Sequence, residues 1–395
     1  MCGVEAGSAG KRVLFAYALP TRHEFSKHDT GVVPSHRLWG AAELQKRGWC
    51  VECCPDAGDA WKLLGASGWR LWQSFWAIRE SKDSLGIVAV HEAGALFLLL
   101  ARRAGLLRKP VLVLNMALLH PRNLRWGRRM LWKWLLGGAE AVVSLVQTQS
   151  DRVSALFGVS RARTVFLPLG VDPDFLGRAD PADEERFCLA VGTNDGKDFE
   201  TLVEALPLRE RLIVVTDGYN AEKVRNHPCF GAGIEVRTAV PALELRDLYR
   251  RAAVVVVPLA DTSHGSGHTV LLETMAMGKI VVVSASRNME GYIQNSDNAL
   301  VVPVGDTVAM RAALLDALDC PERHSEMRER AAQLVRARFG IERFGSELGR
   351  ILDSLHTGAP PRARDGREMS AKESRKSETE CRENQTREER HASVP

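Results

Sequence analysis

The densest chemistry in this chain lies between His264 and Gly278. Gly265, Ser266 and Gly267 form a loop of small residues, followed by an amphipathic helix that carries Glu273 in its second turn and stops at Gly278. Glycines let backbone N–H groups approach an anion closely, and a helix N-terminus adds a favourable dipole. The turn from Gly267 through His268, Thr269 and Val270 is therefore a candidate anion cradle, with His268 as a further hydrogen-bond donor to phosphate or sugar. Glu273 could accept hydrogen bonds from a sugar diol. In outline these are the parts of a nucleotide-sugar site.

Other chemistries fit less well. His264 and His268 are four apart, but Gly265 and Gly267 argue against the continuous helix that such metal ligation needs, so no metal is expected. Cys50 and Cys53 have C-x-x-C spacing inside an apparent strand, where positions three apart point to opposite faces, and no second pair completes a zinc set. His91 and Glu92 lack the second histidine of H-E-x-x-H. Gly192 to Asp198 has the outline of a P-loop, but it is one residue short and lacks the Ser/Thr that would hold magnesium.

Strand-like runs alternate with helical ones throughout, the pattern of parallel sheets covered by helices. Strands are expected at 13–19, 50–54, 86–90, 111–114, 141–146 and 164–167, and the pattern restarts at 187–191, 212–216, 234–237, 254–258, 280–284 and 299–303. Helices are expected over 35–47, 93–104, 199–205, 244–251 and 270–277, a loop over 21–34, and a closing helix over 338–355. The restart implies an α/β chain of two Rossmann-like doubly wound domains, 11–170 and 182–337, facing a cleft. Ligands in such sheets bind outside the C-terminal strand ends, which is where His91 falls. Residues 357–395 are rich in Arg, Lys, Glu and Ser with almost no large apolar residue, and read as disordered.

Composition supports this frame. With 395 residues and 45% hydrophobic content, two cores can be buried, since single cores stop growing near ~250–300 residues. A net charge of +4 is too modest to point to nucleic acid. No apolar run approaches the ~20 residues that span a bilayer, and no secretory leader is recognisable, so a cytoplasmic, thiol-reduced protein is expected.

Residues 264–283 resemble the C-terminal signature of GT-B glycosyltransferases of group 1, the family that includes glycogen synthase-like and mannosyltransferase enzymes. Leu271, Leu272, Met275, Ala276 and Gly278 match around Glu273, the second glutamate of a family pair, whereas the first falls on Gly265. Residues 187–206 resemble a second family motif through Gly192, Lys197, Asp198, Thr201 and Leu202, with Thr193 in place of the family arginine. The resemblance covers roughly residues 11 to 356. It implies a GT-B glycosyltransferase that moves a sugar from a nucleoside-diphosphate sugar to an acceptor, with retention of configuration and without metal or other cofactor.

By the same resemblance the donor lies in the C-terminal domain and the acceptor in the N-terminal one. Lys197, at the start of a helix, would add a full charge to its N–H groups against the leaving diphosphate. Gly192 and Thr193 border the donor, the segment at Val240 reads the nucleobase, and His91 lines the cleft as a candidate catalytic residue beside Lys197. Gly31 would face the diphosphate and acceptor, or be a plain loop glycine; His36 would be an acceptor-side polar group, or a surface histidine opening a helix. The departures at Gly265 and Thr193 bear on donor identity. They also leave room for a degenerate fold that only binds a sugar or partner. A sugar-nucleotide epimerase would need paired carboxylates, and Gly265 speaks against it.

One segment stands apart. If 122–136 is a single helix, Arg122, Arg125, Arg128, Arg129 and Lys133 fall within roughly a 140° arc at ~100° per residue. Leu124, Trp126, Met130, Leu131, Trp134 and Leu135 take the opposite side, and Trp132 and Leu136 intrude on the basic face. That is the composition of a peripheral contact with an anionic inner membrane face, and equally of a solvated helix whose apolar side joins the core. With the first reading, the acceptor could be lipid-linked.

Overall fold

The computed structural model describes residues 11–55, 60–193 and 195–357. Most of the tail expected to be disordered lies outside the described residues. Six parallel strands build the first sheet: β1 (Arg12–Tyr17), β2 (Cys50–Cys53), β3 (Ile87–Val90), β4 (Val111–Asn115), β5 (Ala141–Ser144) and β6 (Thr164–Phe166), in the order β2-β1-β3-β4-β5-β6. Six more build the second: β7 (Glu185–Val191), β8 (Leu212–Thr216), β9 (Ile234–Thr238), β10 (Ala252–Val257), β11 (Ile280–Ser284) and β12 (Leu300–Val302), in the order β12-β11-β10-β7-β8-β9. The central strands are nearly pure Val, Leu, Ile and Ala because helices cover both faces, the signature of parallel sheets. All twelve expected strands are present, and the chain is an α/β protein of GT-B architecture.

The helices of the first half are α1 (Arg22–Asp29), α2 (Ala41–Lys46), α3 (Ala60–Glu80), α4 (Glu92–Arg103), α5 (Pro121–Leu124), α6 (Trp126–Leu136) and α7 (Gln147–Phe157). After α8 (Pro173–Leu176) come α9 (Phe199–Ala205), α10 (Gly218–Arg225), α11 (Ala242–Arg251), α12 (His268–Ala276), α13 (Thr307–Asp319), α14 (Ser325–Arg338) and α15 (Ile341–His356). The last of these returns to the first half and packs on α2, and Lys11 Nζ bonds Asp353 at 2.7 Å. Among the described residues no helix is long and apolar enough to cross a membrane.

Three expectations need correction. The stretch 21–34 is not all loop: α1 occupies Arg22–Asp29, and none of its residues is buried, so no apolar periodicity announced it. The expected helix 35–47 is broken, because Trp39 (φ 54°) and Gly40 (φ 83°) are left-handed and separate a 3₁₀ turn, Ser35–Leu38, from α2. Segment 122–136 is likewise two helices, parted where Arg125 is extended (φ −60°, ψ 138°). Its buried side is Trp132, Leu135 and Leu136, whereas Trp126, Met130, Leu131 and Trp134 point to solvent. The two residues read as intruders therefore anchor the helix.

Candidate functional site

In the second sheet the strand order reverses between β7 and β10, and a ligand crevice forms outside the C-terminal ends of two such strands. The loops that follow them are strapped together: Asp198 N donates to Pro258 O at 3.1 Å, and Ala260 N to Gly196 O at 3.1 Å. Asp198 then caps α9, accepting from Thr201 N at 3.1 Å and from Thr201 Oγ1 at 2.7 Å. The Lys-Asp-x-x-Thr pattern thus has a local physical cause. It fixes the backbone that carries Lys197.

Lys197 is buried, and among the described residues its Nζ has no hydrogen-bond partner. Burial pushes its pKa down to about 7, since a cation without solvent or counter-charge is disfavoured. Its side chain lies over Gly192, where any Cβ would overlap it. A buried, unpaired ammonium is costly unless an anion joins it.

Across from this lysine, α12 begins after Gly267, whose φ of 82° favours glycine and whose Cβ, if present, would fall 2.9 Å from Leu259, Met289 and Val257 side-chain atoms. Its N-cap, Gly267, has no side chain to cap α12, so among the described residues the first-turn N–H groups of His268, Thr269 and Val270 lack a capping acceptor. Gly267→Ala is expected to destabilise the fold by about 2–4 kcal/mol through positive-φ strain plus crowding, measurable by urea denaturation. An unchanged midpoint would show that the turn relaxes freely.

His268 departs from its expected role. Its Nε2 faces Asn288 O at 2.7 Å, and burial lowers its pKa to about 4. The neutral ring donates through Nε2 to that carbonyl, leaving Nδ1 as an acceptor, so it is not a phosphate donor. The charge of Lys197 contributes to the lowering, which places the two side chains in each other's field.

Glu273 is buried and meets the first half directly: His36 Nε2 donates to Glu273 Oε1 at 3.1 Å. His36 Nδ1 in turn accepts from Asp172 N at 3.1 Å, and the Asp172 carboxylate accepts from Ser35 N and Phe175 N, both at 3.0 Å. Burial alone would raise the Asp172 pKa; these N–H bonds outweigh it and hold the carboxyl below its usual range. His36 is therefore neither a surface residue nor an open acceptor-side group, but a link between the halves. Glu273 also lines a cavity of about 20 Å³ with Pro34, Phe175, Leu245 and Tyr249, room for about one water. Burial, then the Glu273 charge, push the Tyr249 phenol well above its usual pKa.

The remaining expected residues spread out. His91 caps α4, its Nδ1 accepting from Ala93 N at 3.1 Å, with a left-handed backbone (φ 73°) unusual outside glycine. It stands at the end of β3, beside β1 where the first sheet reverses. Gly31 closes α1 on an exposed turn (φ 71°), Thr193 is exposed after β7, and Val240 is half-buried after β9. Gly265 N donates to Met116 O at 3.3 Å, so its loop touches the first half.

One constellation had no signal in local spacing. His120 Nε2 meets Asp195 Oδ2 at 2.7 Å, and His264 Nε2 meets Asp195 Oδ1 at 3.2 Å, joining the loops after β4, β7 and β10 across the cleft. The ligand atoms of the three lie within 4.8 Å of one another, a set able to accept a metal ion among the described residues. Burial lowers the His264 pKa, partly offset by the Asp195 carboxylate, so its ring is neutral near pH 7.

Comparison with known proteins bears on the family and the fold. Residues 185–320 match a family model described as "Glycosyl transferases group 1". Sucrose-phosphate synthase from Thermosynechococcus elongatus superposes with a TM-score of 0.69 at 16% identity, covering 89% of this chain and 100% of the other. Anabaena HepE in complex with UDP-glucose superposes with a TM-score of 0.64 at 14% identity, covering 87% and 99%. A glycosyltransferase from Rickettsia africae follows, with a TM-score of 0.57 at 13% identity and coverage of 88% and 99%. At these identities the structural likeness is one of fold. No match was found among curated proteins.

Proposed function

We propose that this chain, a GT-B glycosyltransferase whose residues 185–320 form the group 1 domain, moves a sugar from a nucleoside-diphosphate sugar to a saccharide or lipid-linked acceptor, with retention of configuration. The observation that carries the reading is the buried, unpartnered Lys197 Nζ beside the uncapped start of α12. Both groups call for an anion. A diphosphate would be held by the first-turn N–H groups, and its charge would draw the Lys197 proton back on, lifting the pKa from about 7. As the glycosidic bond to the sugar breaks, negative charge grows on the diphosphate, and a preorganised ammonium stabilises it there without metal or other cofactor. The HepE complexes with UDP and UDP-glucose favour a uridine nucleotide as donor.

In this reading the C-terminal domain (182–337) holds the donor, the base lies by Val240, and Glu273 takes the ribose diol. The N-terminal domain (11–170) brings the acceptor past His91. Glu273 is closed off by His36 here, so the diol reaches it once that link loosens, and closure afterwards excludes water from the reacting bond. Segment 122–136 is the proposed peripheral contact with an anionic membrane.

The competing reading is a fold that binds sugar or partner without transfer, favoured by the absence of a carboxylate at Gly265 and of a cation at Thr193. Slow hydrolysis of UDP-glucose in the absence of acceptor separates the two. A transferase leaks donor to water, and free UDP should accumulate at a rate that depends on enzyme; binding without any release of UDP or other nucleoside diphosphate from a donor panel would favour the binding module.

A further inference from the structure

We propose that the outer surface of α3, α4 and α6 is a docking surface for an anionic lipid bilayer. This extends the contact proposed for 122–136 to two further helices and rests on that contact, not on the transfer reaction. All three helices cover one face of the first sheet, where Ala77, Leu98 and Leu135 share a core with Leu14 and Val113. Their inward sides satisfy the fold. Their outward sides do not follow the usual pattern of a solvated helix, which is polar there.

Trp126 is 78% exposed, Leu106, just past α4, 72%, Phe75 60% and Leu71 56%, and Trp72, Leu100, Leu131 and Trp134 are also exposed. The Trp72 and Phe75 rings stack 6.4 Å apart, and exposed apolar side chains on helices that touch mark an interaction site rather than scattered solvent contact. The helices touch in order, α3 on α4 and α4 on α6, and the Arg103 guanidinium lies 5.1 Å from the Trp134 ring.

Charge selects the partner. Between Glu92 and Glu140 there is no Asp or Glu at all, whereas Arg103, Arg108, Arg122, Arg125, Arg128 and Lys133 fall in that span. Glu92 is buried, and Glu140 is taken up by Arg102 at 2.5 Å. The span 92–140 thus offers tryptophans and leucines among cations, and the acidic groups Glu80 and Asp83 stand at the far end of α3, Glu80 facing Arg12 at 3.7 Å. Trp sits at the headgroup level of a bilayer, and long basic side chains keep their charge among anionic headgroups while their stems lie on apolar surface. Directly before α5 stands His120, which bonds Asp195 at the cleft.

The test is flotation of the full chain with vesicles of phosphatidylcholine containing about 30 mol % phosphatidylglycerol, against pure phosphatidylcholine. Wild type should float with the anionic vesicles, lose most binding at high salt, and bind pure phosphatidylcholine at least about tenfold more weakly. Exchanging Arg122, Arg125 and Arg128 for glutamine should weaken binding about a hundredfold, at roughly tenfold or less per charge. Phe75→Ser with Trp126→Ser and Trp134→Ser should weaken it at least tenfold on both vesicle types. UDP-glucose titration and thermal melting of each variant verify the fold and the donor site separately. Wild-type protein that binds UDP-glucose yet stays off anionic vesicles at low salt overturns the proposal and leaves the transferase reading intact. Binding that neither variant weakens, or self-association in sedimentation that these substitutions abolish while vesicles are ignored, also overturns it.

Discussion

Lys197→Ala is expected to lower turnover by two to three orders of magnitude while shifting donor affinity far less. The range is that of a single preorganised donor removed from a developing anion, about 3–4 kcal/mol. Ground-state binding of the diphosphate still has the α12 N–H groups, so the deficit should fall on kcat rather than on the dissociation constant. The pH profile adds a signature that a merely structural lysine would not produce. In the free protein burial puts Lys197 near 7, so its charged fraction falls as pH rises through that value. Accordingly kcat/KM should be level below about 7 and decline about tenfold per unit above it, and the alanine variant should lack this limb. Equal turnover in wild type and Lys197→Ala would remove the lysine from the mechanism.

Glu273→Ala should weaken UDP binding by roughly 10- to 100-fold, the loss of hydrogen bonds to a buried carboxylate. The substitution also removes the acceptor of His36 Nε2, so a structural contribution must be separated from diol recognition. A 2′,3′-dideoxyribose analogue of UDP does this. Wild type should bind it about as weakly as Glu273→Ala binds UDP, and the substitution should then cost nothing more. If the variant loses the same factor on both nucleotides, Glu273 serves the link to His36 and not the ribose.

Much of the fold was legible because its information is local. Runs such as Val254–Val257 and Ile280–Val283 are buried on both faces and can only be central strands of a covered parallel sheet. Gly267 and the Lys197-Asp198-x-x-Thr201 pattern were legible for the same reason, since a positive φ and a helix cap each act over a few residues. What failed depended on packing. The helix Arg22–Asp29 buries nothing and so leaves no periodic trace. Trp132 and Trp126 are equally apolar in composition, yet six residues on one helix put them about 120° apart, and which side meets the core is set by packing, so one is the anchor and the other faces solvent.

The site divides along the same line. Glu273 stands in a motif that local sequence displays, but its partner His36 is 237 positions away, and no local pattern encodes that distance. The His120, Asp195 and His264 group is assembled from three loops of two sheets and becomes visible only when the halves face each other. His268 was misread because its position at a helix start suggests an outward donor, while Asn288 O, brought near by the following loop, turns the ring inward.

The central claim concerns where a diphosphate binds, and a crystal structure of the protein with UDP addresses it most directly. The account predicts phosphate oxygens within about 3.2 Å of Lys197 Nζ and of first-turn N–H groups of α12, with the ribose hydroxyls on Glu273. UDP bound elsewhere, with Lys197 still enclosed and Glu273 still held by His36, would contradict it.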